Sequence, residues 1–250
     1  MLHNPFKGDV AMRSGSPIVV DAKPDALTLD AALTAVVVVD MQNDFGAPGA
    51  MFALAGIDIA PIRAVIPPTA LTVATARRAG MAIIYLKMAF KPDLSDAGPH
   101  DGPTWIKHER LRIGAPVTDP HGNPSRILIR DTWNTDIVAE LMPEPGDIVL
   151  YKHRYSGFFE TELDAILRQR GIRNLIFTGC TTSVCVESTL RDAAFRDYRC
   201  LLLEDCTAEP GVAGINHEAS VILIGHQFGW VTQSARFVEA LEKQLTHSAA

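Results

Sequence analysis

The sequence predicts a single-domain three-layer α/β/α fold around a mainly parallel six-stranded sheet. Two observations carry that reading. Short β-branched or apolar runs alternate along the chain with helical segments, the pattern of β-α units. The strand runs are apolar almost throughout rather than every second residue, as in strands covered on both faces.

In chain order, residues 1–30 scatter Pro, Gly, Ser and Asp and read as an irregular N-terminal arm. Residues 31–250 read as the domain. VVVVD, Val36 to Asp40, is the first core strand. Thr69 to Ala79 reads as helix, with Pro67 and Pro68 at its start and Gly80 past its end, where each residue suits its terminus. MAIIYLKM, Met81 to Met88, is the second strand. Lys91 to Arg126 is a long excursion rich in Pro, Gly, Asp and His with no clear core pattern; such insertions are commonly functional. DIVLY (147–151), NLIFTG (174–179), CLLLED (200–205) and FGWV (228–231) supply the remaining strands. Helices are expected at Thr161 to Arg170, Val184 to Arg196, Asn216 to Ile224 and Ala235 to Gln244.

Composition excludes several classes. The chain has 250 residues, 47% hydrophobic and 21% charged, with net charge −6. Acidity without a basic block argues against a nucleic-acid surface. No apolar run is long enough for a bilayer, and the N-terminus lacks the apolar core of a signal peptide. A cytoplasmic location is therefore the expectation. Four cysteines are too few for a disulfide framework, and their spacings match no zinc or redox pair. The eight histidines form no HExxH pair, and no GxGxxG or phosphate loop occurs. No cofactor and no metal are expected.

In a parallel sheet, ligands bind beyond the carboxyl ends of the strands. That rule selects Asp40, which ends the first strand, Lys152, which ends the third, and Cys185, which follows the fourth. A cysteine at a helix start, beside a lysine, is expected to lose its proton more readily. Asp40 could accept the thiol proton and return it to a leaving amine. The turn Gly179 to Cys185 is small and polar and could offer backbone N–H groups to an oxyanion. Each residue alone has a plainer reading: a strand-end aspartate, a solvated lysine, an inert core thiol. Their joint placement favours chemistry.

These residues resemble the isochorismatase-like cysteine hydrolase superfamily. The matching stretches are VVVVDMQNDF (36–45), YKHRYSGFFETELDAILRQRGIRNLIFTG (151–179), TTSVCVESTLRDAAFRDY (181–198) and LLLEDC (201–206). The resemblance implies a catalytic triad of Asp40, Lys152 and Cys185. It also implies a non-proline cis peptide between Cys180 and Thr181, with the Thr181 and Cys185 amides forming the oxyanion hole. RYSGFF and VCVESTLRD are similar to ureidoacrylate amidohydrolases. KPDLSD (91–96), RIGAP (112–116), ILIR (127–130) and LLLEDC are similar to biuret and triuret hydrolases. The implied activity is hydrolysis of a carbamoyl C–N bond in a small ureido compound, releasing ammonia or a carbamate. Alternatives are hydrolysis of another small linear amide, isochorismatase-type ether cleavage, and a non-catalytic interaction protein. Cys185 argues against the ether reaction, because true isochorismatases lack the nucleophilic cysteine. KMAF (87–90) replaces a more polar stretch of the ureidoacrylate enzymes. Nicotinamidase relatives carry a metal motif after the second strand; Asp93, Asp96 and His100 do not reproduce it.

Phe45, Gln227 and Tyr155 are the candidate substrate-binding residues, Gln227 by analogy with a glutamine of the biuret enzymes. Each could equally be a packing or solvated residue. Of Lys87, Lys107, His108 and Glu109, one could recognise the far end of a substrate, against a plain solvated face. Gln42 and Asn43 are expected to organise the strand end by hydrogen bonds. The expected partner is a small ureido or amide substrate, with neither nucleic acid nor membrane. A homo-oligomer, dimer or tetramer, is implied by family habit and by the apolar, Pro-rich arm.

Overall fold

The computed structural model describes residues 17–211 and 214–248. The chain opens with β1 (Ile18–Val20) and β2 (Leu27–Leu29), then β3 (Thr34–Val39). Four helices follow: α1 (Asn43–Gly46), α2 (Met51–Leu54), α3 (Ala60–Ala64) and α4 (Ile66–Arg78). Next come β4 (Ala82–Met88), α5 (Pro103–Arg110), β5 (Pro116–Thr118) and β6 (Pro124–Arg126). The second half comprises β7 (Ile148–Lys152), α6 (Leu163–Gln169), β8 (Asn174–Cys180), α7 (Glu187–Ala194) and β9 (Arg199–Ala208). It ends with α8 (Gly214–Leu223), β10 (Trp230–Thr232) and α9 (Ser234–Ser248).

The main sheet has six strands in the order β10-β9-β8-β3-β4-β7, and every pairing is parallel. β3 lies inside it, so all six of its residues are buried. Its side chains alternate between two cores. Val36 and Val38 join one cluster with Ile83, Tyr85, Ile176, Leu201, Val73 of α4 and Phe237 of α9. Val37 and Val39 join the other with Ile84, Leu86, Phe177, Leu167 of α6 and Leu190 of α7. Two faces needing cover explain why the sequence shows unbroken β-branched runs.

The strands expected from sequence are present with small boundary shifts. Two stretches differ. The expected irregular arm, where described, contains β1 and β2, which pair antiparallel. Ile18, Val20, Leu27 and Leu29 point into the core while Val19 points out, a period-two pattern too short to stand out from sequence. Residues 1–16 of that arm lie outside the described residues. The excursion after β4 likewise contains α5 and the β5–β6 hairpin. Among the described residues no helix is long and apolar enough to cross a membrane.

Candidate active site

Asp40 follows β3, Lys152 ends β7 and Cys185 follows β8, so all three reach the carboxyl edge of the sheet. The structure brings them together. Lys152 Nζ lies 2.6 Å from Asp40 Oδ2, and the two side chains are 0% and 1% exposed. The Cys185 side chain lies within electrostatic reach of both partners. Lys152 Nζ also donates to the Arg154 carbonyl at 3.3 Å and lies 3.8 Å from Met88 Sδ. The ammonium is therefore fixed from several sides.

Local backbone sets each side chain. Asp40 has φ 52°, a left-handed conformation that aspartate tolerates better than most residues. This turns the chain sharply out of β3. Its N–H donates to Leu86 O at 2.8 Å, and its carbonyl accepts from Gln42 N at 2.8 Å. The Gln42 side chain then clasps β4: its amide donates to Met88 O at 2.9 Å and its oxygen accepts from Met88 N at 2.8 Å. Asn43 donates to Trp133 O at 2.7 Å. Both residues thus organise the strand end as the sequence suggests. Beyond β8 the peptide between Cys180 and Thr181 is cis, at the position the resemblance implies. A widened π-type turn, Thr182–Val186, leads into α7 and carries Cys185. Gly179, with φ 111°, permits this path: a Cβ there would lie 2.0 Å from Val39 O.

Charge states follow from burial. Desolvation raises the Asp40 carboxyl above its ordinary value, although Lys152 opposes the shift. Burial works against the Lys152 ammonium, but the Asp40 carboxylate and Cys185 hold it charged and raise its pKa. The Cys185 thiol is pushed up, first by burial and then by the Asp40 charge, with Lys152 pulling the other way. The sequence expectation of a lowered thiol pKa is therefore corrected. The cysteine is 7% exposed, and loss of water outweighs both helix start and lysine. Burial thus favours a resting thiol beside the Asp40 carboxyl.

Tyr155 lies within the electrostatic reach of Cys185 and Lys152, and burial raises its phenol pKa. Phe45 is buried in α1, its ring edge-on to Phe52 at 4.9 Å, so its ring is engaged in packing. Gln227 is a correction. It is exposed and lines a hollow of about 410 Å³ with Asp197, Arg199 and Trp230. That hollow is at the amino edge of the sheet, opposite the triad. The reason is topological: α8 starts at the carboxyl edge and carries the chain back, so residues just before β10 emerge at the far end. Asp93, Asp96 and His100 have other partners: Asp93 accepts from Ser95 N, Asp96 pairs with Arg130, and His100 packs on Trp105.

Sequence reasoning missed two neighbours of the site, Glu209 and His217. Glu209, just beyond β9, accepts the Ser183 N–H at the base of the π-type turn. His217 of α8 pairs through Nδ1 with the Thr182 hydroxyl at 2.9 Å. No spacing rule marks them, because each reaches the site from a separate element. His108 of α5, one of the four residues considered for the far end of a substrate, is buried rather than solvated and feels the charges of Lys152 and Arg154.

The model of the isochorismatase domain matches residues 34–236. The chain belongs to the isochorismatase family. Among solved structures of this hydrolase family, a cysteine hydrolase from Pseudomonas syringae pv. phaseolicola is similar, with 27% identity and TM-score 0.73. The match covers 86% of this chain and 95% of that one. An isochorismatase family protein from Desulfovibrio vulgaris matches at 26% identity and TM-score 0.67, over 84% and 98% of the two chains. N-carbamoylsarcosine amidase from Thermoplasma acidophilum matches at 26% identity and TM-score 0.60, over 80% and 96%. Within the isochorismatase family, then, this chain places a buried cysteine within electrostatic reach of a buried aspartate–lysine pair.

Proposed function

We propose that the protein is a cysteine-dependent amidohydrolase that cleaves the carbamoyl C–N bond of a small ureido compound of the biuret, triuret or ureidoacrylate type. One observation carries this reading: a buried carboxylate and a buried ammonium, paired at 2.6 Å, both act on the Cys185 thiol at the carboxyl edge of the sheet. The similarity to an N-carbamoylsarcosine amidase adds support on the substrate side.

Asp40 takes the thiol proton as Cys185 Sγ attacks the carbamoyl carbon. Because burial raises both the Asp40 and the Cys185 pKa, this transfer is coupled to attack rather than completed beforehand. Lys152 keeps its charge throughout and offsets the negative charge passing between sulfur and carboxylate. The amides of Thr181 and Cys185 receive the oxyanion. Protonated Asp40 gives its proton to the departing nitrogen, which leaves as an amine or ammonia. A water then attacks the S-acyl carbon with Asp40 as base, and the thiol is restored as the acid product leaves. Tyr155 borders the sulfur and contacts the bound substrate.

The test is ammonia release from biuret, triuret, ureidoacrylate, N-carbamoylsarcosine and a simple amide, before and after thiol alkylation. Release from at least one ureido compound, abolished by alkylation and by Cys185→Ser, is expected. No ammonia from any of them would sink the reading.

A further inference from the structure

The excursion between β4 and β7 delivers one imidazole to the site, and its hydrogen bonding fixes what that ring can do. His108 Nδ1 lies 2.7 Å from the carbonyl oxygen of Thr104, one turn earlier in α5. A carbonyl only accepts, so Nδ1 carries the proton. In the neutral ring Nε2 is then a bare acceptor. Among the described residues it has no hydrogen-bond partner. The ring is held edge-on to Phe90 at 5.4 Å and faces Tyr155 at 5.9 Å, the residue beside the nucleophile. Burial, followed by the positive fields of Lys152 and Arg154, keeps the imidazole below its ordinary pKa and so uncharged at neutral pH.

We propose that His108 is a specificity-determining residue whose Nε2 accepts an N–H from the far end of the substrate, selecting uncharged ureido compounds over those ending in a carboxylate. This rests on the proposed amidohydrolase function and names its substrate class. His108 is largely withdrawn from water, and an acceptor placed there rewards a donor and disfavours an anion, since a carboxylate oxygen would face its lone pair. Lys152 is paired with Asp40 and so is no easy partner for the anion, and Arg154 commits one of its two Nη groups to the carbonyls of Asp96 and His153.

The test compares kcat/KM of the wild type on biuret, methyl allophanate and N-carbamoylsarcosine. Methyl allophanate replaces one terminal amino group of biuret by a methoxy group and so removes that donor. The wild type should prefer biuret over both, by about tenfold for an acceptor left unmet on a buried residue. His108→Leu should flatten the preference mainly through KM, and His108→Gln, which keeps an acceptor, should restore part of it. Unchanged formation of the methyl disulfide on Cys185 by methyl methanethiosulfonate, which transfers CH3S with methanesulfinate as leaving group and has no N–H groups, would show that the variants keep the site intact. If no ureido compound is hydrolysed at all, the amidohydrolase reading fails and takes this one with it. If ureido compounds are hydrolysed but biuret is not preferred by the wild type, the role of His108 alone is overturned. Full retention of the preference in His108→Leu has the same consequence. The wild-type comparison decides the matter even if the leucine variant does not fold.

Discussion

At the scale of single residues, the site is governed by the cost of burying charge. Lys152 and Asp40 are both withdrawn from water, and each is tolerable only because the other is present. Lys152→Met is expected to leave the carboxylate unpaired and to cost about 3–5 kcal/mol of stability, measured by urea unfolding. It should also remove turnover. Stability within about 0.5 kcal/mol of wild type would show that the pair is not a mutual necessity. Cys185→Ser predicts the opposite balance. Sulfur and oxygen fill similar space, so the unfolding midpoint should stay near wild type. Ammonia release should fall by about 10⁴-fold or more, as when other paired nucleophiles are removed. The two variants together separate the chemical need for the sulfur from the structural need for the ion pair. The sequence showed which residue types stand at strand ends. It could not show that burial, rather than the helix start, sets the state of the thiol, because burial depends on elements far along the chain.

At the scale of elements, the site is a product of how closely β8 approaches β3. Gly179 pairs with Val39 across the two strands, and a methyl group there would meet the Val39 backbone. Gly179→Ala must either part the strands or abandon the positive φ. We expect a loss of at least about 2 kcal/mol in urea unfolding. A drop in ammonia release is also expected, because Cys180 and the π-type turn follow directly. A Gly179→Ala variant of wild-type stability would contradict this packing. The core strands were legible because their β-branched runs are continuous and their positions are local in sequence. α5 and the β5–β6 hairpin were not legible, because their few apolar residues are spread among Pro, Gly and charged residues. Gln227 was misplaced for a related reason. Similarity of position along the chain does not say at which edge of the sheet a connecting turn emerges.

At the scale of the whole molecule, the excursion is tied to α1 and α2 by a second buried carboxylate, and this links stability to pH. Asp44 accepts from Leu128 N at 2.7 Å, from Met51 N at 3.2 Å and from the Asn134 side chain. It joins α1, α2 and the segment beyond β6. No sequence signal marks it, since two of these donors are backbone groups and the third, the Asn134 side chain, lies far along the chain. Burial pushes its carboxyl up to about 6 in spite of these three donors, while an unfolded aspartate titrates near 3.9. Between those values the folded chain binds more protons than the unfolded one, so stability falls as pH rises. The contribution of Asp44 is fully present below about pH 4 and is lost as pH climbs through about 6, a change of at most about 3 kcal/mol. Asp44→Asn carries no titrating group there and has a constant cost from its mismatched amide. The difference in unfolding free energy, wild type minus Asp44→Asn, should therefore shrink between pH 4.5 and 7.5. A difference that grows over this range would mean that the N–H donors, not burial, dominate the carboxylate.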